Sequence, residues 1–134
     1  MNELMNNAAA GKLVLRLMLG ILLMFHGVAK LLHPGTVDFI SGTLTGAGLP
    51  GVIAYGVYVG EIIAPLMIIL GVYSRIGALL VVINMVFAIL LLHTGDLFSV
   101  TEHGGWRLEL QAFYLFSGLA LMFLGSGRLA AKPD

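Results

Sequence analysis

The sequence predicts an all-α polytopic membrane protein, an antiparallel bundle of four transmembrane helices. Hydrophobic residues make up 59% of the 134 residues and charged residues only 10%, which is far from the composition of a soluble domain. Four apolar runs are each long enough to cross about 30 Å of hydrocarbon. Turn-forming segments separate these runs. Residues 1–134 are therefore interpreted as a single membrane domain.

The predicted spans cover residues 13–32, 52–72, 76–93 and 108–124. Each has the length that a helix needs to cross a bilayer. A tight turn around Ser74 joins the second and third spans, so these two must run antiparallel, and the other connections are longer and Gly-rich.

The connection between the first two spans has a pattern of its own. Apolar residues recur there at near-helical spacing with polar residues between them, at Val37, Phe39, Ile40 and Leu44. This spacing predicts a short helix that lies on the membrane surface.

Charge distribution predicts the orientation. Four basic residues, Lys12, Arg75, Arg128 and Lys132, flank the side that holds both termini, whereas the opposite connections contain a single basic residue and several acids. Because basic residues are retained on the cytoplasmic side, we expect both termini in the cytoplasm. The first apolar run follows no basic signal-peptide region, so we expect it to be retained as a helix.

Composition also limits the chemistry. The chain has no cysteine, which excludes disulfides, thiolate metal sites and a dithiol relay within the chain. Basic residues are scattered, so no nucleic-acid partner is expected. His93, Asp96, Glu102 and His103 lack the tight spacing of a metal site, and we predict none.

Several polar residues fall inside the predicted spans, where they are costly unless they are paired or hydrated. Counting about 1.5 Å per residue from the outer boundary places His26 and Tyr114 about 9 Å deep and Glu61, Asn84 and Ser117 about 13 Å deep. Four helices thus contribute to one polar layer. We predict a polar site near the non-cytoplasmic side.

The pairing inside this layer is open. His26 and Lys30 share one helix face, and Glu61 can reach His26, or Lys30 if the helices shift by a turn. Pro65 cannot donate a hydrogen bond to the Glu61 carbonyl, which predicts a kink and a free acceptor. A buried pair could simply hold the first two helices together, or it could belong to a ligand or proton site.

Two features have competing structural interpretations. Arg16 and Lys30 lie about a turn from their helix ends and could extend to lipid headgroups. The spacing of Gly56 and Gly60 is a small-residue motif that favours packing within the bundle over dimerisation.

The chain resembles the DoxX family of small bacterial membrane proteins over nearly its whole length. The residues that carry the resemblance are Leu15-Arg16-Leu17 with Gly20, His26-Gly27, Lys30-Leu31, Gly60-Glu61, Leu70-Gly71-Val72-Tyr73-Ser74-Arg75 and Gly104-Gly105-Trp106. The resemblance implies a four-helix inner-membrane protein. It also implies a setting in sulfur and thiol redox chemistry, because members include a subunit of archaeal thiosulfate:quinone oxidoreductase and a mycobacterial partner of thiosulfate sulfurtransferase and superoxide dismutase.

Three functions follow as hypotheses. The first is a membrane subunit of an oxidoreductase system, whose polar layer binds a quinone or a small sulfur compound without a covalent cofactor. Its expected ligand-binding residues are His26, Glu61, Lys30, Asn84, Arg16, Ser117 and Tyr114. The second is a carrier of small solutes or ions. The third is a scaffold that recruits soluble redox enzymes to the bilayer, and a homo-oligomer is compatible with all three. No residue is assigned a catalytic role.

Overall fold

A computed structural model describes residues 5–134, and its regular secondary structure within this range consists of helices, with two isolated β-bridges. The five helices of the described range are α1 (Ala8–Leu32), α2 (Gly35–Gly46), α3 (Gly51–Leu70), α4 (Ser74–Leu92) and α5 (Glu109–Leu124). The predicted all-α class is confirmed.

Three helices are long and apolar enough to cross a membrane: α1, α3 and α4, with 25, 20 and 19 residues. The fourth predicted span corresponds to α5, which is apolar but has only 16 residues. At about 1.5 Å per residue it is about 24 Å long, shorter than the hydrocarbon layer. Gly125, with φ of 75°, ends it. Length and hydropathy therefore identify three spanning helices and one shorter apolar helix.

The helix ends differ from the predicted ones because local caps set them. α1 begins five residues earlier than predicted, since the side chain of Asn7 accepts a hydrogen bond from the Ala10 N–H at 3.0 Å. α3 ends at Leu70, because the left-handed conformation of Gly71 (φ 74°) stops the helix. α4 then starts at Ser74 rather than at residue 76.

The helix predicted in the first connection is present as α2. Its buried residues Val37, Ile40 and Leu44 form a small core with Ala54 of α3. Leu91 and Leu92, at the end of α4, pack against this core. α2 therefore covers the ends of α3 and α4.

A larger core fills the middle of the molecule. Its members come from α1, α3, α4 and α5, and they are Leu19, Leu23, Ala64, Ile68, Ala78, Val81, Met85, Tyr114 and Leu121. Large apolar side chains also point outward, among them Phe25, Phe113 and Phe123, which are 70 to 75% exposed. An apolar exterior of this extent is typical of a protein whose solvent is lipid.

α3 is irregular over its first thirteen residues. A 3-10 segment (Gly51–Tyr55) leads through one short α segment into a π segment (Val59–Ile63), and regular α-helix resumes at Ala64. The irregularity predicted near Pro65 thus takes the form of a π turn directly before the proline. Such turns often occur at functional sites because they insert one extra residue into the helix. Glu61 lies inside this turn.

Candidate functional site

The centre of the site is an ion pair between α1 and α3. Nζ of Lys30 lies 2.5 Å from Oε1 of Glu61, and the side chains are only 19% and 6% exposed. Nδ2 of Asn84, on α4, donates to the other carboxylate oxygen, Oε2, at 2.9 Å. Both oxygens of Glu61 are therefore bonded, and three helices meet at one carboxylate.

Two glycines allow this close approach. A Cβ on Gly27 would overlap the backbone carbonyl of Glu61, and a Cβ on Gly60 would overlap the side chain of Asn84. Any larger residue at these positions would push α1 or α4 away from α3. The Glu61 carbonyl, which was predicted to be a free acceptor, packs against α1 at Gly27.

His26 takes no part in the ion pair. Its ring packs edge-on against the ring of Tyr114 on α5, with centroids 5.7 Å apart and planes at 81°. Of the two pairings that the sequence left open for Glu61, the structure contains the one with Lys30. The hydroxyl of Tyr58 donates to the Lys30 carbonyl at 3.4 Å.

One cavity of about 660 Å³ is lined by His26, Lys30, Glu61, Asn84 and Tyr114. Leu23 and Met85 of the main core border it on one side, and Ile40 and Leu44 of α2 border it on the other. Its volume falls within the usual range for small-molecule sites. The polar residues in its wall are His26, Lys30, Thr36, Glu61, Asn84, His93, Gln111 and Tyr114.

Five of the seven predicted ligand-binding residues therefore line the same cavity. Ser117 does not, because it faces a separate shallow groove with Leu15 and Phe113. Sequence reasoning missed Gln111, although it lies three residues before Tyr114 and so on the same face of α5.

Arg16 lies outside the cavity and has a structural role. It is 1% exposed, and its guanidinium donates to the carbonyls of Ile68 (3.0 Å) and Ile69 (3.0 Å) in the last turn of α3. It also donates to the carbonyls of Ser126 (3.2 Å) and Leu129 (2.6 Å) after α5. Arg16 thus caps α3 and joins it to the C-terminal segment, and it does not extend to headgroups.

The same end of the bundle is closed by backbone contacts. The N–H groups of Ala131 and Lys132 donate to the carbonyls of Leu70 (2.9 Å) and Gly71 (3.0 Å). Arg75 caps α5 through the carbonyl of Met122 at 2.7 Å. The C-terminal segment therefore covers the end of the molecule that lies away from the cavity.

The chemistry of the cavity follows from its charges. Lys30 and Glu61 neutralise one another, and most of the remaining wall is apolar. One N–H of Lys30 is used by Glu61, which leaves two donors on that ammonium group. His26 can donate or accept a hydrogen bond. The site is suited to an uncharged ligand with a polar head.

Long apolar helices around a cavity whose mostly apolar wall carries a polar cluster define a small helical membrane protein with a ligand-sized site. The chain belongs to the DoxX family, because the DoxX family model matches residues 11–94. It is also similar to an uncharacterized protein of Haemophilus influenzae, with 31% identity over 120 residues that cover 87% of this chain and 84% of the relative. No solved structure matches the chain. The matched range contains Lys30, Glu61 and Asn84, while Gln111 and Tyr114 lie beyond it.

Proposed function

We propose that this protein is a membrane subunit of a quinone-linked oxidoreductase system and that its cavity binds the quinone headgroup. The observation that carries the proposal is the location of the Lys30–Glu61–Asn84 cluster and His26 in the wall of a largely apolar cavity of about 660 Å³. A quinone ring is uncharged and has two carbonyl oxygens, so it suits a wall that is largely apolar and has a few hydrogen-bond donors. Electrons would come from soluble redox partners, because the chain itself has no cysteine.

The cavity favours a quinone over a small sulfur anion. A dianion such as thiosulfate needs unpaired cations or many donors around it. Lys30 is already paired with Glu61, and Arg16 is bonded to carbonyls at the opposite end of the bundle. The side chains around the polar cluster, such as Leu80 and Ile83, are apolar.

Each polar residue has a distinct role in this proposal. Lys30 and His26 donate hydrogen bonds to a quinone oxygen, and Tyr114 fixes the His26 ring through its edge contact. Glu61 holds Lys30 in place and is the nearest carboxylate to exchange a proton when the quinone is reduced. Asn84 orients the carboxylate. The quinone itself supplies the redox chemistry.

The membrane arrangement completes the proposal. We infer that α5 is the fourth crossing of an antiparallel bundle, since α3 packs on α1 and α4 and α5 also packs on α1 and α4. From the basic residues Lys12, Arg75, Arg128 and Lys132 we infer that both termini lie in the cytoplasm of a bacterium and that the cavity lies in the outer half of the inner membrane.

A transport path is less compatible with these contacts. Between the cavity and the Arg16 end, the core residues Ile68, Ala78, Val81 and Leu121 have no exposed surface. A carrier would have to part this packed layer, whereas a binding site needs only the cavity.

The proposal can be tested by titrating 2,3-dimethoxy-5-methyl-1,4-benzoquinone into protein in lipid nanodiscs and measuring the heat of binding. We expect the His26→Ala/Glu61→Gln variant to bind at least about tenfold more weakly than wild type. The matched control, His103→Ala/Glu102→Gln, changes exposed residues of the third connection and should bind normally. Equal binding by both variants would overturn the residue assignment, and no binding by wild type would overturn the quinone function.

A further inference from the structure

The two glycines of the Gly56–Gly60 motif have different surroundings. Gly60 is buried and packs against Asn84, as expected for a packing motif. Gly56, one turn earlier, also lines the cavity, yet a Cβ there would meet no atom of another helix within 4 Å. α3 and α4 are therefore in close contact at Gly60, and the space beside Gly56 is open.

Large apolar side chains border this open space. Ile53 and Val59 of α3 and Ile83 and Phe87 of α4 all line the cavity, and they are between 38% and 45% exposed. They belong to the two helices that are long and apolar enough to cross the membrane. Their exposed surface therefore meets lipid tails rather than water.

Two ends of the cavity are covered, although His26 of α1, Phe39 of α2 and Leu110 of α5, which also line it, are exposed. Ile40 and Leu44 of α2 are buried over one end, and Leu23 of α1 is buried at the other. The gap beside Gly56 is therefore one route into the cavity, and its apolar rim suits entry from the bilayer.

We propose that the cavity opens sideways to the bilayer between α3 and α4 at Gly56 and that its ligand is a membrane-soluble amphiphile with an aliphatic tail. The polar head lies at the Lys30–Glu61–Asn84 cluster, and the tail passes beside Gly56 into the lipid. The identity of the head as a quinone rests on the proposed function, and the lateral opening does not.

The test is to fill the gap. Gly56 has helical angles (φ −60°, ψ −21°), so leucine fits its backbone, and the Gly56→Leu side chain would occupy the open space. The probes are a decyl-tailed benzoquinone, the same headgroup without the tail, and 4-decylphenol, a tailed amphiphile that is not a quinone. Gly42→Leu in α2 is the matched control, because Gly42 is also free of neighbours within 4 Å and lies outside the cavity wall.

We expect Gly56→Leu to weaken binding of the decyl-tailed quinone at least about tenfold because the tail then clashes, and to leave the tail-less headgroup within about twofold. Retained headgroup binding also shows that the variant is folded. If Gly56→Leu disrupts folding, Gly56→Ala should give a smaller loss in the same direction. Gly42→Leu should change neither affinity.

Other outcomes separate the two proposals. Unchanged affinity of Gly56→Leu for the tailed quinone, or equal loss for both headgroup probes, would overturn the lateral opening and leave the quinone function standing. Binding of 4-decylphenol alone, lost in Gly56→Leu, would support the opening and overturn the quinone function.

Discussion

Lys30 and Glu61, which are 31 residues apart in the sequence, form an ion pair of 2.5 Å that joins α1 to the π turn of α3. The pair lies within two helices that are long and apolar enough to cross a membrane. A lone charge at this position would lack water to solvate it, so each residue depends on the other.

The pair should behave as one unit in stability measurements. We expect Lys30→Met and Glu61→Gln each to lower the free energy of unfolding by about 2 to 4 kcal/mol, because each leaves a charge unpaired. The double variant should lose less than the sum of the two, since no charge remains. Reversible unfolding in mixed micelles measures this coupling, with Lys12→Met on the same helix as a control. Additive losses would show that the two charges act independently.

Gly27 should tolerate no side chain. We expect Gly27→Ala to destabilise the protein by about 1 to 3 kcal/mol, because its methyl group would overlap the Glu61 carbonyl. Gly11→Ala is the matched control on the same helix, where the added methyl group has no neighbour within 4 Å. That variant should be neutral or slightly stabilised, since alanine favours helix. Similar melting temperatures for the two variants would contradict the close packing of α1 on α3.

Arg16 should be irreplaceable even by lysine. Lysine keeps the charge but has only three donors on one atom, so it cannot replace the four hydrogen bonds that join Arg16 to α3 and the C-terminal segment. We expect Arg16→Lys to speed amide hydrogen exchange at Ala131 and Lys132, whose N–H groups bond to the end of α3. Arg128→Lys, at an exposed position, is the control. Unchanged exchange in Arg16→Lys would mean that backbone contacts alone hold the segment.

Because His26 and Tyr114 are in contact, we expect the loss of either ring to weaken ligand binding. Tyr114→Phe keeps the ring and should preserve the edge contact. Tyr114→Leu removes it, and we expect quinone binding to fall about as far as in His26→Ala. Titration calorimetry on the two single variants and the double variant gives the comparison. A double variant much weaker than either single one would show that Tyr114 does not act through His26.

Sequence reasoning predicted the helices well because the apolar runs are long and the bilayer fixes their minimum length. The short helix α2 was predicted from the spacing of Val37, Ile40 and Leu44. The helix ends were less predictable, because a side-chain cap at Asn7 and a left-handed Gly71 set them. These are local geometric effects that hydropathy does not report.

Several residues of the site could be predicted from the sequence, but not their pairing or the direction of each side chain. Depth counting brought His26, Glu61, Asn84 and Tyr114 into one layer, and the structure brings them to one cavity. Depth counting could not identify Lys30 as the partner of Glu61. The pairing depends on the relative shift of α1 and α3 and on the extra residue of the π turn. Depth alone also does not fix the direction of a side chain. Ser117 was therefore predicted to bind ligand although it faces another groove.

The most direct test of the central claim is an electron cryo-microscopy structure of the protein, held by a rigid antibody fragment, in nanodiscs that contain a decyl-tailed benzoquinone. The account predicts elongated density in the cavity, with its head within hydrogen-bond distance of Lys30 or His26 and its tail beside Gly56. A cavity closed by side chains from α3 and α4, with no density between Glu61 and Gly56, would contradict it.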